Sequence, residues 1–116
     1  PVTNPELSIN LIYLTSRSGL EDRIYRIRTG GSEASTPLPR TSHLITNVLA
    51  AEGNSGRLRV TANFQVSSWS HKRGAECRSG RYDFELSRAG DEFCIQRKKI
   101  LPVAEVTDGW FDVFSI

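Results

Sequence analysis

Arg57 to Val66 reads R-L-R-V-T-A-N-F-Q-V, and the reading of this stretch decides the fold class. Leu58, Val60, Ala62, Phe64 and Val66 fall on one side of an extended chain, with Arg57, Arg59, Thr61, Asn63 and Gln65 on the other. Side chains alternate across a strand with period two, so one face of this segment turns to a core and the other to water.

The same grammar runs outward in both directions. Downstream, His71-Lys72-Arg73-Gly74 is a turn, and Ala75 to Arg88 is a strand in which Tyr82, Phe84 and Leu86 alternate with Arg81, Asp83 and Glu85. Ala89-Gly90 is the next turn signal, Phe93 to Val103 the next strand, and Val113 to Ile116 a short final one. Upstream, Glu52-Gly53-Asn54-Ser55-Gly56 turns back to a strand from His43 to Ala51. Gly31 to Thr41 is an ordered loop in which Pro37 and Pro39 keep Thr36 and Leu38 out of helical geometry.

Before the loop lies a helical pattern. Ser18-Gly19-Leu20-Glu21 has the form of a capping box, in which Glu21 reaches back to the Ser18 amide. Leu20, Ile24 and Ile27 make one apolar stripe, Arg26 and Arg28 complement the dipole of the last turn, and Gly30-Gly31 stops the helix. Leu7 to Leu14, L-S-I-N-L-I-Y-L, is rich in β-formers and is expected to be a strand. Strand, helix and consecutive hairpins predict an α+β fold, a curved antiparallel sheet packed on a helix. A curled sheet with a helix in its concavity is the NTF2-like (cystatin-like) cone, here one domain over 1–116.

With 116 residues, such a domain buries about two-thirds of its unfolded surface. The net charge of +2 is spread among interleaved acids, which argues against a nucleic-acid partner. No apolar run reaches the length of about 18 to 20 residues that spans a bilayer, so no membrane is expected. The chain starts at Pro1 and contains no Met, so it is read as an N-terminally truncated piece. Cys77 and Cys94 are too far apart across the expected hairpin to bridge, which points to free thiols in a reducing, cytoplasmic setting.

The inventory of reactive residues mostly excludes. A Rieske cluster takes two Cys and two His, and a mononuclear iron triad two His and a carboxylate. The whole chain has two of each, and the nearest pair, His71 and Cys77, lie on opposite sides of a turn, so no metal is expected here. There is no G-x-S-x-G, no phosphate loop and no zinc spacing. His43 is the fallback catalytic residue, an acid–base with Asp83, although Asp83 alternates onto the polar face; a structural histidine is the plainer reading. Arg40 either meets a carboxylate across an interface or is solvated. Arg97, Lys98 and Lys99 are split by alternation, so a wet sheet face is the plainer reading, with an acidic partner surface as the other. Trp110, Phe111, Val113, Phe114 and Ile116 either close the core or dock on another chain.

Several segments, in order, carry a family likeness. L-I-Y-L-T is similar to a strand, and L-E-D-R-I-Y-R-I-R-T-G to the L-x-x-R-V-x-R-L-x-T-G helix, of the β (small) subunits of aromatic-ring-hydroxylating dioxygenases. P-L-P-R-T-S-H-L-I-T-N-V resembles their segment with Arg, His and Asn, here Arg40, His43 and Asn47. V-T-A-N-F-Q-V, F-C-I-Q-R-K-K-I-L and V-F-S-I resemble their later strands and C-terminus. The resemblance implies an NTF2-like, structural subunit of a bacterial oxygenase, lacking the family's N-terminal helical part. It implies an α subunit holding the Rieske 2Fe–2S cluster and mononuclear Fe(II), other β subunits in an α3β3 assembly, and interface roles for Arg40, Trp110, Phe111 and Phe114. A stand-alone NTF2-like dehydratase or isomerase for a small hydrophobic substrate, using His43, is the alternative.

Overall fold

The computed structural model describes residues 13–30 and 36–104. The chain divides into two compact units, Pro1–Pro39, which holds a helix, and Arg40–Ile116, which holds the sheet. The expected strands Leu7–Leu14 and Val113–Ile116 fall mostly or wholly outside the described residues; Tyr13 and Leu14 lie in irregular chain leading to the helix.

Helix α1 spans Arg17–Arg28. Its cap is Ser16, not Ser18: extended at φ −146° and ψ 159°, Ser16 accepts the Gly19 amide on its Oγ at 3.2 Å. The expected capping box therefore does not form. Ser16 stands three residues before a free amide and takes the cap position, leaving Ser18 inside the first turn. Glu21 instead accepts from Arg17 Nε at 2.8 Å, one turn back. At the far end Thr29 Oγ1 donates to the Tyr25 carbonyl at 3.0 Å, and Gly30 turns the chain out at φ +68°. That conformation favours glycine, so the expected stop is where the sequence places it.

The second unit is a four-stranded antiparallel meander: β1 Arg40–Glu52, β2 Leu58–Ser70, β3 Gly74–Ala89 and β4 Glu92–Pro102, hydrogen-bonded in that order. The predicted alternation holds across the central pair. Val60 faces Phe84, Ala62 faces Tyr82 and Phe64 faces Gly80, so these residues share one side of the sheet. Ala62, Phe64, Val66 and Tyr82 are buried, and Phe84 and Ile100 pack against them. The Phe64 and Tyr82 rings stack with centroids 4.3 Å apart and planes within 13°. Burying one such side chain is worth about 1.5–3 kcal/mol, so β2 and β3 hold most of the sheet's apolar stabilisation.

Gly80 makes that stack possible. A Cβ there would overlap the Leu101 carbonyl oxygen and come within 2.7 Å of Phe64 Cε1. Any side chain at 80 would displace both the Phe64 ring and the backbone of β4.

Two irregularities were not foreseen. The β1–β2 register slips between Thr46 and Leu49, with Asn47 at φ +52°, and the β3–β4 register slips between Glu85 and Leu86. Such bulges bend a strand and sharpen its twist. One expected pairing is corrected by the turn. Cys94 lies opposite Ser87 rather than Glu85, because the hairpin turns at Gly90 and Asp91, one position later than expected. Cys77 and Cys94 are free, as the spacing argument required.

Candidate functional site

Register decides what each candidate residue can reach. His43 pairs with Val66, on the core side of the sheet, and Val66 pairs in turn with Arg78. Asp83 pairs with Thr61 and Lys99, on the opposite side. It also lies five residues beyond Arg78 on β3, about 17 Å along the strand at 3.4 Å per residue. The sheet therefore does not assemble His43 and Asp83 into an acid–base pair. The segment that carries Arg40, His43 and Asn47 is likewise divided. Arg40 opens β1 opposite Trp69, His43 sits on the other face, and Asn47 occupies the bulge. Asparagine tolerates the left-handed region better than most residues, so a backbone role accounts for Asn47. Trp110, Phe111 and Phe114 lie outside the described residues.

The core side ends in a polar cluster near the β2–β3 turn. Glu76 receives Arg73, and Arg78 Nη2 at 3.4 Å, with all three side chains at most 28% exposed. His71, in the turn, meets the Trp69 ring edge-on at 4.7 Å between centroids. Further along this side, Lys98 places its Nζ 4.2 Å from the Tyr82 ring centre and 5.8 Å from that of Phe84. Partial loss of water around Nζ lowers the lysine pKa from its ordinary value, and burial raises that of Tyr82. Lys98 as a whole remains exposed, so its charge is held over the rings at an accessible border of the apolar surface.

The other side of the sheet carries a grid of charge. Asp83 receives Arg81 at 3.4 Å and Arg59 at 3.7 Å, and Glu85 receives Arg57 at 3.3 Å and Arg97 at 3.6 Å. Lys99 stands directly opposite Asp83. Alternation does split the Arg97-Lys98-Lys99 run along β4, as expected. Cross-strand register then rebuilds a patch, because Arg97 and Lys99 join Arg57, Arg59 and Arg81 from β2 and β3 and the stretch before β2. Sequence reasoning missed this grouping although its signal was present: two alternating strands joined by a short turn bring their polar faces together.

Among the described residues no three or more His, Cys, Asp or Glu side chains gather as a metal-holding group. No helix among them is long and apolar enough to cross a membrane. The described sheet is a four-stranded antiparallel one with an apolar side and a densely charged side, and likeness to known proteins gives the chain a family. The family model described as the ring hydroxylating beta subunit matches residues 2–108. The small subunit of anthranilate 1,2-dioxygenase from Acinetobacter baylyi is 34% identical over 116 residues, covering 99% of this chain and 70% of that one. The β subunit of toluate 1,2-dioxygenase from Pseudomonas putida is 39% identical over 113 residues, covering 97% and 69%. In structure, the β subunit of benzoate 1,2-dioxygenase from Burkholderia mallei superposes with a TM-score of 0.74 at 31% identity, covering 93% of this chain and 70% of that one. This chain belongs to the ring-hydroxylating dioxygenase β-subunit family. The α+β expectation and the family resemblance both stand.

Proposed function

We propose that the chain is the non-catalytic β subunit of a bacterial Rieske-type dioxygenase, supporting a larger, iron-bearing α subunit in the catabolism of an aromatic carboxylate. The observation that carries this reading is the family match across residues 2–108. The names of its relatives support the substrate class, since anthranilate, toluate and benzoate are all ring carboxylates. In this assignment the Rieske cluster and the mononuclear iron reside in the α subunit, which performs the oxygen chemistry. The β subunit contributes buried surface. A stable interface removes about 1,600 Å² from water, enough to hold neighbouring α subunits in one cytoplasmic assembly of the α3β3 kind.

Arg40 is assigned to that interface because it is exposed at the start of β1, opposite Trp69, and arginine and tryptophan are both enriched at binding hot spots. Trp110, Phe111 and Phe114 are assigned to it by their apolar character. The test is co-expression of this chain, tagged, with its cognate α subunit, followed by gel filtration and iron analysis. Equal amounts of both chains in one iron-containing peak are expected. An iron-free chain eluting alone beside a folded α subunit would overturn the assignment. The dehydratase or isomerase alternative has no support from the register, which separates His43 from Asp83.

A further inference from the structure

Among the described residues, the charged side of β2, β3 and β4 carries more cations than anions. Five cations, Arg57, Arg59, Arg81, Arg97 and Lys99, surround two carboxylates of those residues, Asp83 and Glu85. Glu92, the next described acid on this side, pairs with Ala89, four residues beyond Glu85 along β3, at the hairpin end. The layering is also uneven. The side chain of Asp83 is 16% exposed and that of Glu85 40%, whereas the four arginine side chains are between 52% and 64% exposed. The anions sit low and the guanidinium groups stand above them. An approaching surface therefore meets positive charge.

Isolated surface ion pairs contribute little to stability, so the grid is poorly explained as a folding device. It is better suited to binding. Each carboxylate orders two arginines in advance, which lowers the entropy lost when a guanidinium is fixed by a partner. Each guanidinium has five N–H donors and approaches its carboxylate at 3.3–3.7 Å through one nitrogen, so donors remain for a second acceptor. A second copy of this chain, docking the same face symmetrically, would bring five more cations against these five, and like charges oppose association. The complementary occupant is a different chain with carboxylates on its surface.

We infer that this arginine-rich side of the sheet docks an acidic surface of the α subunit, and that the grid steers the two chains together. The inference rests on the α-subunit reading above and adds the surface that performs it. Electrostatic steering acts chiefly on the association rate and weakens as salt screens it.

The experiment compares wild type with the Arg97→Glu/Lys99→Glu double variant, both as full chains, binding immobilised cognate α subunit in low and high salt. Wild type is expected to associate at least about tenfold more slowly in high salt, and the variant at least about tenfold more slowly than wild type in low salt. Thermal unfolding of the variant should match wild type. If charge reversal prevents folding, Arg97→Gln/Lys99→Gln carries the same comparison. Unchanged association rates for a folded variant would overturn the inference while leaving the subunit reading in place. Loss of self-association with intact α binding would overturn it too, by giving the surface to a second copy. A wild-type chain that binds no α subunit at all would overturn the subunit reading, and the inference with it.

Discussion

The central strands of this sheet and its edge strand β1 are built from similar residue types and meet opposite fates. On β2 and β3, Ala62, Phe64, Val66 and Tyr82 are 4% exposed or less. On β1 every residue from Arg40 to Glu52 is exposed, including Leu44 at 57%, Ile45 at 48%, Val48 at 61% and Leu49 at 69%. The difference teaches that strand character and core membership are separate properties. Hydrogen bonding to β2 suffices to make β1 a strand. Burial needs side chains packed around a residue on its face, and on the described strands those gather about Phe64, Val66 and Tyr82 and not along β1.

Three substitutions would break or sharpen that contrast. Phe64→Ala removes the ring at the middle of the stack and should cost about 4 kcal/mol of the sheet's stability, read as a lowered midpoint in urea. A loss below about 1 kcal/mol would mean that the central strands are not the core. Lys98→Met tests the border between centre and edge. Its cation–π contact is worth about 0.5–1 kcal/mol at an accessible site, a loss offset in part by methionine's easier burial, so a small change is expected at pH 7.

The pH dependence carries the sharper signal. Because the folded-state pKa of Lys98 is lowered, the unfolded chain binds more protons between that value and about 10.5, and stability rises with pH across this window. Tyr82 acts in the opposite sense. Its raised pKa keeps it protonated above pH of about 10 while the unfolded tyrosine ionises, and stability falls. Wild type should therefore gain on Lys98→Met as pH rises toward about 10.5, in denaturation series taken at each pH; a constant gap would show that Lys98 feels no desolvation. The smallest effect belongs to the edge. Leu49→Ser should shift the stability of the isolated chain by no more than about 0.5 kcal/mol, and a larger loss would show β1 to be buried against something.

Much of the fold was legible because its signals are periodic. Alternation from Leu58 to Val66 and from Arg81 to Leu86 gave the strands, their faces and the antiparallel order, and turn residues gave the hairpins. What stayed hidden depends on local competition. Ser16 and Ser18 are both acceptable caps, and the choice rested on which one met an unpaired amide. The bulges at Asn47 and after Glu85 each insert a single extra residue, which leaves no periodic trace. The candidate site divides in the same way. The separation of Lys98 from Arg97 and Lys99 followed from alternation, whereas the sinking of Asp83 and Glu85 beneath their arginines is a matter of side-chain length and packing.

Gly80 and Phe64 can be regarded as one volume held in joint ownership by two strands. The ring extends into space that every other amino acid at position 80 would claim. The two positions are therefore not free to vary alone, yet bulk leaving 64 would not by itself admit a side chain at 80, because the Leu101 carbonyl of β4 still stands in its way. Among chains sharing this architecture, a residue larger than glycine at the equivalent of 80 would mark a differently built centre, with the next strand displaced as well as a shorter side chain facing it across the ladder.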